Sequence, residues 1–414
     1  MSCKNDILKN AIFRFKRLII SIMEPFGKRY RYISIFDYVL QSPKNAKFLS
    51  LSLEDSWYTV AKCYRPDGKY DTEAHELKNG ISLFDWLALV NDAVCFKDSD
   101  LVLTSNGYAL NDAKDYKSIS YYGDYSYGLV RDNAKFCQIK RKKKVYIEEA
   151  FFLDGMWSWN WYHFVTQVLP KMKFLSMIPR EVPILVSKQL AMENNFQAIF
   201  RVFLEKHDAL DRQIIYLSDG RAYSVKRLYV ASAQGLVIPD LNKNTTNVVR
   251  PEWALYKKST ISFIRKTLLS VMDSAKTYPQ HIYITRRNAS GRRRFNEEEI
   301  VAFVESAGYT VVAPEEYSIQ EQVALFNNAK NIIACSGAAL TNLIYCQPGC
   351  KIIIMNNYQS QIGIFNTIAS LVCANSISIS GYDYAMQKGD DSQDAFTIEP
   401  DKVKNAIQQM DMII

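Results

Sequence analysis

The chain has 414 residues, 48% hydrophobic and 23% charged, with 51 Lys+Arg against 43 Asp+Glu for a net charge of +8. At about 150 residues per domain there is room for two to three domains, and this balance excludes general disorder, collagen or a solenoid. No apolar run approaches the roughly 20 residues of a membrane-spanning helix, and the basic excess points to an anionic partner: nucleic acid, anionic lipid or a phosphorylated small molecule.

Residues 9–31 combine Ile12, Phe13, Phe15, Leu18, Ile19, Ile22 and Met23 with Lys9, Arg14, Lys16, Arg17, Lys28, Arg29 and Arg31. At helical spacing this makes a greasy stripe beside a basic one. Two readings stand: a helix lying in an anionic membrane surface, or an N-terminal helix docked on the body with its lysines in water. The first residues, Met-Ser-Cys-Lys-Asn-Asp, have no signal-peptide pattern. Eight cysteines without a CxxC pair, and four scattered histidines, predict reduced thiols in a cytoplasmic setting and no zinc site.

Residues 36 to about 145 read as strand-rich and irregular. Lys140-Arg141-Lys142-Lys143-Lys144, near the tyrosines of 121–127, has no nucleic-acid-binding motif around it and reads as a solvated hairpin. Asp98-Ser99-Asp100 is a DxD, a dyad with which one class of sugar transferases holds a divalent metal; an exposed turn is the expectation here. Trp157-Ser158-Trp159-Asn160-Trp161-Tyr162-His163 holds three of the six tryptophans and one of the histidines. It is either an aromatic core helix or a site where rings stack on a sugar and His163 takes a proton from a hydroxyl.

From Pro183 the pattern changes. Ile184–Ser187, Gln213–Leu217 and Arg227–Ala231 read as short buried strands, Leu190–Glu205 as a helix, and Pro251–Ala275 as a long helix with proline in its first turn. Strands His281–Thr285, Tyr309–Val312, Asn331–Cys335 and Lys351–Met355 then alternate with helices Asn296–Ala307, Ser318–Ala329, Gly337–Tyr345 and Ile362–Ala374, with Ser376–Ser380 as a further strand. Short apolar strands alternating with helices specify βαβ crossovers and a doubly wound parallel sheet. Asn296 with Glu299, and Ser318 with Glu321, have capping-box spacing.

Ligands of such sheets sit at the carboxyl ends of strands. Two strand ends are chemically loaded: Arg286-Arg287…Arg292-Arg293-Arg294, and Ser336-Gly337-Ala338-Ala339-Leu340-Thr341-Asn342. Arginine forks and a bare helix start of small residues are two devices for holding a diphosphate. GxGxxG after a strand, GxxxxGK[ST] and GxSxG are all missing, which argues against a dinucleotide enzyme, a P-loop nucleotidase and an α/β-hydrolase.

These stretches resemble glycosyltransferase family 61, found in capsular and lipopolysaccharide synthesis proteins and in plant and animal xylosyl- and N-acetylglucosaminyltransferases. Asn160-Trp161-Tyr162-His163-Phe164 with Val168-Leu169-Pro170-Lys171 is similar to that family's N-Y-Y-H-W…LPR element. Tyr283-Ile284-Thr285-Arg286-Arg287, Arg292–Arg294 and Asn296-Glu297 resemble Y-I-S-R-R…R-R…N-E, and Gly337–Asn342 with Pro348-Gly349 resembles H-G-A-G-L-T-N…PPG. The likeness covers about residues 150–375. It departs at Ser336, where the family has histidine.

The resemblance implies an α/β fold of GT-B type, with two Rossmann-like domains facing a cleft. The division would be an N-terminal segment 1–35, an acceptor-side domain 36–250, a nucleotide-sugar domain 251–380, and a tail 381–414 whose helix packs back on the N-terminal domain. It implies an inverting, metal-independent hexosyl-, N-acetylhexosaminyl- or pentosyltransferase that requires no cofactor. A UDP-sugar would be the donor and a surface-polysaccharide or lipid-linked glycan the acceptor, at the inner face of the membrane. Arg286, Arg287, Arg292, Arg293, Asn296, Ser336, Gly337, Ala338, Thr341 and Asn342 would hold the donor, and Asn160, Trp161 and Tyr162 the acceptor. His163 would be the base, with Asp154 as its substitute. Ser336 keeps a second reading open: a catalytically weak sugar-nucleotide- or glycan-binding protein of polysaccharide assembly.

Overall fold

The computed structural model describes residues 28–53, 57–60, 74–77, 84–110, 129–132, 136–139, 142–237, 254–288, 294–357, 363–381 and 396–412. Most of the basic segment 9–31, the tyrosines of 121–127, and Arg292 and Arg293 lie outside these. Among the described residues no helix is long and apolar enough to cross a membrane.

The fold is α/β. An 11-stranded mixed sheet occupies the N-terminal half. One end of it is built from β1 (Phe84–Cys95), β2 (Lys143–Phe152), β3 (Ile184–Ser187), the edge strand β4 (Ile214–Leu217) and β5 (Arg221–Ala231). The order β4-β3-β2-β5 is parallel throughout, and β1 closes on β5 in antiparallel register. Helix α1 (Asn194–Lys206) buries Phe196, Ile199, Phe200 and Phe203 in the same core as Ile184 and Val186 of β3.

The expected long helix at Pro251–Ala275 is corrected. Residues Ala254–Lys257 form strand β6, paired with Gly235–Val237 on one edge and Trp57–Tyr58 on the other, and only Lys258–Leu269 is helical (α2). Both edges of β6 are hydrogen-bonded and Leu255, Tyr256 and Lys257 are buried, so cross-strand pairing outweighs helix propensity there.

The C-terminal half holds β7 (His281–Ile284), α3 (Glu297–Ser306), β8 (Thr310–Val312), α4 (Ile319–Asn328), β9 (Asn331–Cys335), a 3-10 helix at Ala338–Tyr345, β10 (Lys351–Asn357), α5 (Ile364–Leu371) and β11 (Asn375–Gly381). Every pairing is parallel, in the order β8-β7-β9-β10-β11. Alternate residues serve opposite faces: Ile282, Ile332, Ala334, Ile352 and Ile354 enter one core, Tyr283, Ile333, Cys335, Ile353 and Met355 the other. Apolar side chains on both faces are what a doubly covered parallel sheet requires. The first core continues through Phe326 into the N-terminal half at Phe151, Phe164 and Phe203.

The second face explains the tail. Helix α6 (Pro400–Asp411) lays Val403, Ala406 and Met410 on it beside Ile300 and Val304 of α3. The tail helix therefore covers the C-terminal sheet and not the N-terminal domain, because the outward side chains of β10 and β11 need that cover.

Candidate active site

In this order the connection from β7 runs outward to β8 and the one from β9 runs the opposite way to β10, all strands staying parallel, and a ligand crevice opens at such a switch point. The two loaded loops leave these two neighbouring strands. Arg286 follows β7 and crosses to β9, where its Nη1 donates to the Ser336 carbonyl at 3.4 Å. It lies directly over Gly337: a Cβ there would be 2.3 Å from Nη1. Glycine is needed for this close approach, not for an unusual backbone angle. Ser336 continues the ladder, its N–H donating to Met355 O at 2.8 Å.

Glu297, the first residue of α3, folds back on this loop. One carboxylate oxygen accepts from the Arg286 N–H (2.7 Å), Thr285 Oγ1 (2.9 Å) and Tyr283 Oη (3.2 Å). Burial, and then Glu297, push the Tyr283 hydroxyl far above its usual range, so it remains a donor. Glu297 thus fixes where Arg286 leaves the strand. Sequence reasoning noted Glu297 only as part of a motif, although glutamate in a first helical turn was the available signal.

The other expected donor contacts divide. Arg287 is exposed and forks onto Glu316 at 3.0 and 3.1 Å. Ala338 is half-buried at the start of its helix. Thr341 and Asn342 are both buried, and Asn342 Nδ2 donates to Gln322 Oε1 at 2.9 Å. The 3-10 helix is buried from Leu340 to Tyr345, so only its first residues reach the strand ends. Asn296 does not cap α3 and does not reach the site. Its amide exchanges two 2.9 Å hydrogen bonds with the Ile398 backbone and bonds Glu299, tying α3 to the C-terminal segment. Ser318 and Glu321 do form the reciprocal capping box.

The aromatic stretch is a tight turn followed by an irregular helix. Asn160 caps the single turn Trp161–His163, accepting from Tyr162 N at 3.0 Å. The chain then widens into a π-helical turn at Phe164–Val168 and tightens to 3-10 at Leu169–Met177. Pro170 has no N–H for the Thr166 carbonyl four residues earlier, one reason a regular α-helix does not continue. Trp157 is held at φ 59°, a left-handed conformation costing a bulky residue about 1–3 kcal/mol.

The three expected acceptor residues are placed as follows. Asn160 is a cap. Trp161 packs edge-on to Phe196 with centroids 5.3 Å apart, and Tyr162 is buried with its hydroxyl on Tyr256 and its ring 5.8 Å from Phe365. The ring left to solvent is Trp159, 50% exposed.

His163 lies 4.8 Å from the Trp157 ring, with Nδ1 3.2 Å from Gln167 Oε1. That contact selects the Nδ1–H tautomer and leaves Nε2 as the basic nitrogen. Burial lowers the imidazole to about 4, opposed by Gln167 and by the Asp100 carboxylate. It is neutral near pH 7.

Asp154, the expected substitute base, lies sealed inside. It is 0% exposed, and its oxygens accept from Asp98 N (2.8 Å) and Gly155 N (2.9 Å). Burial and then Asp98 raise it to about 8. A sealed carboxyl cannot meet an acceptor. The DxD is not an exposed turn either: Asp98 and Ser99 are buried, because the loop closes over the end of β2. Asp98 pairs with Lys97 at 3.0 Å and accepts from Ser158 Oγ at 2.6 Å. Asp100 sits 3.5 Å from Lys171 Nζ. Among the described residues no group of His, Cys, Asp and Glu is arranged to hold a metal.

The two clusters meet, since the Trp161–His163 turn packs on the Ala338–Tyr345 helix. A neutral imidazole and an arginine-lined strand end therefore flank one element.

A comparison with curated proteins finds no match. The profile of the family described as Glycosyltransferase 61 matches residues 161–353, a span that contains His163, Arg286, Glu297 and Gly337 and stops short of the Asp98–Asp100 loop. Residues 161–353 are thus similar to a glycosyltransferase family 61 domain.

Proposed function

We propose that the protein is an inverting, metal-independent glycosyltransferase of GT-B type that moves one sugar from a UDP-sugar to a surface-polysaccharide or lipid-linked glycan acceptor. The observation that carries this is Arg286 laid over Gly337 at the switch point of the C-terminal sheet, beside the turn that holds His163. An arginine fork and the amides after Gly337 suit the negative charge that builds on a departing diphosphate. His163 Nε2 takes the acceptor proton as that oxygen attacks the anomeric carbon from the face opposite the diphosphate. Arg286 and the backbone supply what a divalent cation supplies in metal-dependent transferases. The basic residues 9–31 would hold the protein on the anionic inner face of the membrane.

The test is release of UDP from a panel of UDP-sugars mixed with lipid-linked or oligosaccharide acceptors. Acceptor-dependent release is expected. Tight UDP binding without turnover on any pair would favour the second reading, a sugar-nucleotide-binding assembly protein, which Ser336 at the family's histidine position supports. No UDP binding at all would overturn both.

A further inference from the structure

We propose that Gly235, far along the chain from His163, is a positioning residue for the base: having no side chain, it lets strand Gly235–Val237 seat the Thr166–Gln167 turn so that Gln167 holds the imidazole with Nε2 unprotonated. This inference rests on the transferase reading above.

The segment that carries His163 is anchored on both sides of the imidazole. Ahead of it, the Tyr162 hydroxyl meets that of Tyr256 in β6, and beyond it Lys173 pairs with the buried Asp85. Between these anchors the Thr166 carbonyl lies against Gly235, the cross-strand partner of Tyr256. A Cβ on Gly235 would be 2.9 Å from that carbonyl oxygen and 3.3 Å from Gln167 Cγ. The Gly235 backbone is not left-handed, so glycine is needed there for space and not for conformation. Thr166 is tied back to the same turn, its Oγ1 donating to the Tyr162 carbonyl at 2.7 Å.

A side chain at 235 would move the turn, because the strand is the better-anchored partner. Gln234, the preceding residue, is 0% exposed; its Nε2 donates to Asp85 Oδ1 at 2.8 Å and to Ser232 Oγ at 3.0 Å, and its Oε1 accepts from Thr260 Oγ1 at 3.0 Å. Shifting the strand would break these buried bonds. The widened π-helical turn at Phe164–Val168 gives instead, and Gln167 goes with it. Gln167 Oε1 stands 3.2 Å from His163 Nδ1. Which ring nitrogen carries the proton is set by the bond that the other makes. Without the Gln167 oxygen the proton moves to Nε2, its usual place in an unpartnered imidazole, and the basic nitrogen is already filled. With Gln167 in place, the acceptor hydroxyl's proton passes to Nε2 and the oxygen's electron pair bonds the anomeric carbon. The carbon–oxygen bond to the diphosphate breaks, and its pair leaves with the diphosphate.

The experiment reads the neutral His163 ring in the full chain by nitrogen NMR, where the two tautomers have different shifts; a His163→Ala sample assigns the signal among the four histidines. The natural protein should show the Nδ1–H form. Gly235→Ala and Gln167→Leu should both turn it to Nε2–H and lower kcat about 10²-fold, with UDP affinity unchanged. Gln167→Glu, whose carboxylate also accepts from Nδ1–H, should keep the first tautomer. A protein that merely loses packing changes its melting temperature and not its tautomer. If Gly235→Ala does not fold, Thr260→Val, which takes one anchor from Gln234, should loosen the same strand and give a mixture of tautomers. An Nε2–H ring in the natural protein overturns the proposal even if the protein transfers sugar. So does Nδ1–H retained in Gln167→Leu, in a folded Gly235→Ala protein or, failing that, unmixed in Thr260→Val. The expected tautomer changes in a protein without transferase activity overturn the parent reading while leaving the Gly235–Gln167–His163 arrangement standing.

Discussion

Gly337→Ala separates the site from the fold unusually well. The new methyl would sit 2.3 Å from Arg286 Nη1, while the next atoms, Arg286 Cζ and the Cys335 carbonyl, are 3.6 and 3.8 Å away. Gly337 has φ 179° and ψ 169°, extended backbone that alanine adopts without strain. The only group that must move is therefore the tip of a flexible side chain, and stability should change by less than about 1 kcal/mol. The guanidinium, however, can no longer lie across the strand ends. Losing one charge-assisted hydrogen bond to a diphosphate costs about 1.5–3 kcal/mol, or roughly 10- to 150-fold in affinity. Calorimetric titration with UDP should show this loss in Gly337→Ala and a similar one in Arg286→Ala. The double variant should be little worse than either, since both remove the same contact. If Gly337→Ala binds UDP normally while its melting temperature is unchanged, Arg286 does not hold the diphosphate from the position it occupies here.

Arg287→Ala should cost less, roughly threefold in UDP affinity, because its exposed guanidinium already shares the Glu316 carboxylate and such a surface pair contributes about 0–1 kcal/mol; titration beside Arg286→Ala ranks the two. EDTA should leave transfer unchanged in a UDP-release assay, since the ammonium groups of Lys97 and Lys171 already stand against the Asp98 and Asp100 carboxylates; abolition with rescue by Mn²⁺ would return the DxD to metal binding. Asp154 rises from an ordinary 3.8 to about 8 on folding, so its contribution to stability is whole below about pH 4 and is lost as pH climbs through 8. Urea unfolding of Asp154→Asn at pH 5, 6.5 and 8 should therefore show a flatter decline, by at most about 1.4 kcal/mol per pH unit; an identical slope would mean Asp154 is ionised throughout.

What the sequence made legible was whatever short-range pattern decides. The parallel strands at 281–284, 331–335 and 351–357 announce themselves because their side chains are buried on both faces, leaving unbroken apolar runs. The strand-end site was legible for the same reason. Once strands and helices alternate, topology alone sends Arg286 and Gly337 to one edge of the sheet. The errors fall where a distant residue decides what a near one does. Tyr162 looks like a sugar platform until Tyr256, 94 positions on, takes its hydroxyl. Asn296 has the spacing of a cap, yet Ile398, 102 positions on, offers its amide two backbone partners at once.

The Asp98–Asp100 loop carries this argument furthest. As three letters it reads as an exposed turn or a metal dyad, and both readings assume that the carboxylates face water. Asp98 does not, because its N–H is drawn onto Asp154 at the end of β2, 56 residues later, and the loop is pulled shut over it. Asp154 in turn loses the reach a base needs, since the loop it captures is what seals it. The two misreadings are thus one event seen from either end: a carboxylate that looked available closed a loop that looked open. What the closure leaves half-exposed is Asp100, which accepts from the Met156 N–H and stands 3.5 Å from the Lys171 ammonium. A site assembled this way cannot be found by inspecting either strand end alone. It can be found by asking which backbone N–H groups a buried carboxylate must recruit, because an unsatisfied carboxylate at 0% exposure is too costly to persist.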